Sequence, residues 1–146
     1  MKIHEIPEDE CRAVLARNAI GRLGCALDNQ PYVVPILFAY EPDYVYAFST
    51  VGQKIEWMRS NPKVCLQVDE IAGQSQWTSV LVNGTYEELP DPPRSVERAH
   101  ARELLEQKHI WWLNAVAGRR EKQSEVLIDP VFFRIQASSI TGLRAL

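Results

Sequence analysis

Ser49, Thr50, Gly52 and Lys54 are the residues whose types and spacing could do chemistry. They follow Tyr44 to Phe48, a run of aromatic and β-branched side chains that suits a half-buried strand. Ile55, Met58 and Arg59 then give a short helical pattern, which Asn61-Pro62 stops because proline disfavours helical geometry in the residue before it. Two hydroxyls, a glycine turn and a lysine are thus delivered to the N-terminus of a short helix. Free backbone N–H groups and the helix dipole make such a terminus a seat for phosphate. The pattern suits the phosphate of a nucleotide cofactor. It equally describes an ordinary strand–turn–helix with a solvated lysine, and these residues leave both readings open.

The remaining chemistry-bearing residues are sparse. Cys11, Cys25 and Cys65 are far apart and odd in number, so no disulfide framework is expected and a reducing cytoplasm is the natural compartment. His4, His100 and His109 have no metal-ligand spacing with them. No Ser/His/Asp or Cys/His set suggests nucleophilic catalysis. A net charge of -3 offers no basic footprint for nucleic acid. No apolar run approaches the roughly 20 residues of a membrane span. The acidic N-terminus, MKIHEIPEDE, has no apolar core of a secretion signal.

The elements that must position these residues fit one domain over 1–146, the size and the 46% hydrophobic share being those of an ordinary globular chain. Pro7 to Arg17 reads as a helix packing through Cys11, Val14 and Leu15. Ile20 to Leu27 is a strand in which Gly21 and Gly24 keep one side small. After the turn Asp28 to Pro31, Tyr32 to Tyr40 is a second, almost wholly apolar strand. Pro35 in its middle removes a ladder donor, so it belongs at an edge or bulge. Beyond Pro62, Lys63 to Glu70 alternates, with Val64, Leu66 and Val68 on one face. Ile71 to Gln76 reads as a polar loop. Trp77 to Leu89 is a long strand with Gly84 at a bulge or tight bend. Ser95 caps a helix from Val96 to about Gln107, followed by an apolar patch from His109 to Val116. Gly118 to Glu125 reads as polar and mobile. Val131 to Gln136 and Ile140 to Arg144 form a closing hairpin or a bent strand. Six or seven short strands with inserted helices make a mainly β chain, a small antiparallel barrel with helices at its rim.

In order and spacing, Ile20-Gly21-Arg22-Leu23, Gln30-Pro31-Tyr32-Val33-Val34-Pro35, YAFSTVGQKIEWMRSNPKVCLQVDE and WTSVLVNGTYEEL resemble the pyridoxamine 5′-phosphate oxidase-like flavin-binding split barrels. The resemblance covers more than half the chain and is nearest the small branch that includes nitroimidazole-resistance proteins. It implies a split β-barrel and a homodimer with flavin mononucleotide (FMN) in clefts between subunits. It further implies that Ser49, Thr50 and Lys54 hold the phosphate, and that backbone groups of Val34, Pro35 and Ile36 run along the isoalloxazine ring. Trp77, Thr78, Ser79 and Val80 would approach the ribityl chain or ring, Ser79 matching a position where the oxidases carry glutamine. Backbone N–H groups near the ring's N1, C2 and O2 edge could stabilise the anionic reduced flavin.

The chain also departs from its relatives. Gln53 stands where many relatives carry a second basic residue. Ser49 stands where several nitroimidazole-related members carry histidine. No histidine follows His109, so vitamin B6 oxidation is not expected. Trp111 and Trp112 are read as interface hydrophobes, or as a cover for the partner's flavin. Arg134 is read as a cross-strand ion pair rather than a substrate-side cation, and Cys65 as a buried inert thiol. The implied activity is electron transfer from a nicotinamide donor to a small acceptor, a nitroaromatic or quinone. The alternatives are a carrier or sensor of flavin, deazaflavin or haem, and a cofactor-free interaction module.

Overall fold

Strands with one apolar face each must bury it, and the computed structural model shows them doing so around a ring. It describes the backbone of residues 1–122 and 130–146, and the side chains of 1–108 and 130–146. In chain order the elements are β1 (Ile3–Glu5), α1 (Glu8–Arg17), β2 (Ile20–Leu27), β3 (Gln30–Glu41), β4 (Tyr44–Ser49), α2 (Gln53–Ser60), β5 (Lys63–Gly73), β6 (Gln76–Glu88), α3 (Ser95–Lys122) and β7 (Val131–Ala145). The sheet order is β1-β7-β4-β3-β2-β5-β6, and β6 pairs again with β7. Strands β2 to β7 therefore close on themselves, all antiparallel, and β1 adds to the outer edge of β7.

Closure depends on the length of β7, which has 15 residues. Val131 to Gln136 pair with β4, Phe133 to Ala145 with β6, and Leu143 to Ala145 also with β1. Of the hairpin and the bent strand read from the sequence, the bent strand is what forms. The register shifts between Asn83 and Gly84, leaving Ser138 over, and its hydroxyl donates to the Asn83 carbonyl at 2.9 Å. Gly84 admits no side chain: a Cβ there would strike the Gln136 carbonyl oxygen. The bulge expected at this glycine is present.

Inside the ring lie Leu23 from β2, Phe38 from β3, Leu66 and Val68 from β5, and Phe133 and Ile135 from β7, all fully buried. Helix α1 seals one end through Cys11, Val14 and Leu15, and α2 packs on the same core through Ile55 and Met58. A second cluster lies outside the ring, where Tyr46, Phe48 and Phe132 are covered by Leu89, Ala101 and Leu105. Among the described residues no helix is long and apolar enough to cross a membrane.

Several expectations are corrected. Gly21 and Gly24 do not share a face. A Cβ on Gly21 would lie 2.8 Å from the inward Leu66 Cδ1, and one on Gly24 would lie 2.7 Å from the outward Cys65 Sγ. The residues three apart fall on opposite faces because the strand period is two. The loop expected from Ile71 to Gln76 shrinks to two residues, because β5 runs on to Gly73 and β6 starts at Gln76. Helix α3 starts at Ser95 and continues to Lys122, so the apolar patch at 109–116 and the polar start at 118–122 are helical. The rest of that polar stretch, 123–125, lies outside the described residues.

Candidate functional site

The site is built from a strand that loses its neighbour. Asp28 (φ 51°) and Asn29 (φ 66°) make a two-residue hairpin loop of the kind whose twist matches its strands. That loop pairs β2 with β3 from Leu27 and Gln30 to Ile20 and Leu37. On its other side β3 meets β4 only from Phe38 to Glu41. Among the described residues no strand lies beside the other edge of 30–37, and the barrel is split there.

The parity of that edge follows from one bond. The Phe38 N–H donates to the Ala19 carbonyl at 3.1 Å, on the β2 side. Backbone polar groups alternate along an antiparallel strand, so those of Ile36 and Val34 also face β2, and those of Val33, Pro35 and Leu37 face the open edge. The missing N–H of Pro35 falls on the side where the described residues offer no acceptor strand, and no ladder bond to β2 is lost. This is the edge position that the sequence required. The Pro35 ring is exposed, whereas the side chains of Val34 and Ile36 turn toward the barrel interior. Val33 and Leu37 were missed as edge residues, and the odd number of Pro35 was the signal that could have found them.

The turn after β4 lies beside this edge. Ser49 pairs with Val131, is buried, and donates its hydroxyl to the Thr50 carbonyl at 3.0 Å. Thr50 is exposed. Gly52 precedes α2 in extended geometry with open space around it, and no side chain caps the helix. The first N–H groups of α2 thus have no side-chain acceptor, which leaves them available to an anion. Lys54 sits half-buried in this first turn, with no carboxylate in salt-bridge range among the described residues. Burial pushes the Cys25 thiol up, Cys65 adds to this, and the Lys54 charge opposes it.

Helix α2 is firmly held. Trp57 packs on Tyr32 of β3 with ring centroids 5.9 Å apart. The Asn61 side chain donates to the Ala26 carbonyl at 2.9 Å. Arg59 reaches Glu88 at 2.7 Å and holds its carboxyl below the usual carboxylate range.

Strand alternation divides the four residues at the start of β6. Trp77 and Ser79 are half-buried on the outer face. Thr78 and Val80 turn inward, Thr78 accepting from Arg144 Nε at 3.1 Å and Val80 lying in the core. The Ser79 hydroxyl accepts from Gln67 at 3.0 Å, and Arg22 donates to Gln67 at 3.2 Å and Asp69 at 2.7 Å. A polar ladder therefore crosses the outer wall from β2 through β5 to β6. Trp77, Thr78 and Arg144 also line a hollow of about 320 Å3 beside the β5–β6 hairpin.

Arg134 forms the expected cross-strand pair, with Glu87 at 2.7 Å, and its side chain is only 13% exposed. Trp111 and Trp112 fall in α3, and their side chains lie outside the described residues. Cys65 is half-buried against Gly24. Burial raises the Cys11 and Cys25 thiols, which makes them poor nucleophiles. The open edge of β3 and the uncapped start of α2 with Lys54 are thus the unpaired polar features of this part of the fold, among the described residues.

Comparison with known proteins places this arrangement. The chain is 42% identical over 148 residues to an uncharacterized protein of Rhizobium meliloti, covering 99% of this chain and 97% of that one. It is also 42% identical to a FAD-binding protein of Mesorhizobium loti whose crystal structure superposes with a TM-score of 0.80, each chain being fully covered. At fold level it matches the FAD binding protein of Mycobacterium smegmatis, with 22% identity, a TM-score of 0.67, and coverage of 98% of this chain and 100% of that one. A candidate 5-nitroimidazole antibiotic resistance protein of Bacteroides thetaiotaomicron has the same fold, at 19% identity and a TM-score of 0.72, covering 98% of this chain and 87% of that one. The model of one family, pyridoxamine 5′-phosphate oxidase, matches residues 7–144. With its ring of strands split beside β3, the chain belongs to the pyridoxamine 5′-phosphate oxidase family.

Proposed function

We propose that this protein binds a phosphorylated flavin and serves as a flavin-dependent oxidoreductase. One observation carries the reading: β3, with its open edge, packs through Tyr32 on Trp57 of α2, the helix whose uncapped start bears Lys54. A flat ring needs an unpaired edge to lie along, and a phosphate needs free N–H groups and a cation. The residues present fit both needs. The FMN unit, alone or within a larger flavin, would be held at its phosphate by Thr50, Lys54 and the α2 N–H groups. Ser49 braces the turn through its bond to the Thr50 carbonyl. Edge groups of Val33, Pro35 and Leu37 would line the ring. The FAD-binding relative at 42% identity supports the flavin class. When bound, the flavin supplies electron transfer from a nicotinamide donor to a small acceptor, a nitroaromatic or a quinone.

We infer that the working unit is a homodimer. The outer wall of β2 and β3 exposes Ile20 and Val33, at 61% and 67%, whereas the outer face of β4 and β7 is covered by α3. A second copy on the bare wall would bury those side chains beside the open edge and shield a bound ring. A non-catalytic carrier of flavin, deazaflavin or haem is the second reading, favoured by Gln53 where a further cation would strengthen the seat.

An absorbance spectrum of fresh protein, followed by titration of the apoprotein with FMN, tests the proposal. Flavin absorbance bound in stoichiometric amount is expected. A colourless protein that gains none overturns it. Steady-state oxidation of a nicotinamide donor separates the enzyme from the carrier.

A further inference from the structure

We infer that the site continues past the phosphate seat into a second compartment that takes the adenylate half of FAD. The inference rests on the flavin reading and extends it. Val51, next in the chain to Thr50, is one wall of a hollow of about 460 Å3. Leu89, Pro90, Asp91, Arg98 and Phe132 complete the walls that matter here. The volume falls within the roughly 300–1,000 Å3 of small-molecule sites. The hollow therefore adjoins, through Val51, the turn that carries Thr50 and leads to Lys54.

Its chemistry is that of a nucleotide. Each of the other described arginines has a carboxylate in salt-bridge range. Among the described residues Arg98 has none. It is held in place instead by the Pro130 carbonyl at 3.3 Å and by the Phe132 ring, 4.8 Å beneath its guanidinium. Glu88 also lines the hollow, but its carboxylate is taken by Arg59 and the Tyr86 hydroxyl. A guanidinium fixed beside a hollow, with no carboxylate on it among the described residues, is suited to an anion, and its planar fork matches a phosphate. Arg98 is placed to take the second phosphate of a pyrophosphate whose first sits at the α2 start. Asp91 accepts from Ser95 at 2.5 Å through one oxygen, which leaves the other for a ribose hydroxyl, a common use of a carboxylate in dinucleotide sites. Val51, Leu89 and Pro90 give the adenosine an apolar floor. Arg98 is one charge among many in α3, so nothing in its sequence neighbours singles it out.

The test is titration of the apoprotein with FMN and with FAD, followed by flavin fluorescence, for the native chain, Arg98→Ala and Asp91→Asn. FAD should bind the native chain about tenfold to a hundredfold more tightly than FMN, the scale of one charge-assisted hydrogen bond. Arg98→Ala should reduce FAD to the FMN level and leave FMN affinity unchanged. Asp91→Asn keeps the Arg98–Phe132 stack, so it tests the hollow if Arg98→Ala fails to fold, and it should weaken FAD alone. Equal native affinities for the two flavins, or equal losses for both in the variants, would overturn the inference while leaving the flavin reading intact. Failure of both flavins to bind would remove both.

Discussion

The two sides of the barrel use the same kind of strand to different ends. On the closed side β5 pairs with β6 from Lys63 to Gly73, and β6 with β7 from Trp77 to Glu88. On the split side β3 parts from β4 below Phe38 and keeps only β2. Both sides carry apolar residues at every second position, so burial alone does not set them apart. What differs is the fate of the backbone polar groups, satisfied within the sheet on one side and offered outward on the other. An open edge invites another strand to add, and proteins blunt such edges with proline and with covering elements. Pro35 does the first of these here. The closed side should therefore govern stability and the split side ligand affinity.

Removing Phe133 is the strongest attack on the closed side. Its ring is fully buried and 5.2 Å from Tyr86, so Phe133→Ala should lower unfolding free energy by about 3–5 kcal/mol in urea titration. Lys54→Ala attacks the split side. It should weaken flavin binding by about 1.5–3 kcal/mol and shift the apoprotein's stability by less than about 0.5 kcal/mol. A large stability loss with unchanged flavin affinity would erase the contrast.

Acid sharpens it further. The fork from Arg17, with help from Asn18, holds the Glu70 carboxyl at about 2, against an ordinary value of 4.5. Its folded value lies below its unfolded one, so the stabilisation is complete above pH 4.5 and is lost as pH falls toward 2. Arg17→Ala should flatten that part of the urea midpoint against pH. Glu88 is lowered in the same direction by Arg59. Arg59→Ala should act through α2 instead, and so reduce flavin affinity more than Arg17→Ala does. The smallest effect is expected from Pro35→Ala. It restores an N–H on a side with no acceptor strand, and should change stability by less than about 1 kcal/mol.

Much of this fold was legible because its signals are local. The period-two pattern at Val64, Leu66 and Val68, the stop at Asn61-Pro62 and the bulge at Gly84 each need only a few neighbours to be read. The length of α3 was not legible, because a charged helix running into an apolar patch looks like two elements. The edge parity at Pro35 and the solitary Arg98 depend on which strand and which carboxylates lie nearby. Those are facts of pairing that no short window of sequence holds. For the same reason Trp77 to Val80 read as one group in the sequence and were not divided by face.

Strand β7 touches β4, β6 and β1, so the ring cannot shut until residues 131–145 arrive. During synthesis the earlier strands must wait as an incomplete sheet whose two outermost members, β4 and β6, lack their shared neighbour. Nascent chains halted before that point would be prone to joining one another.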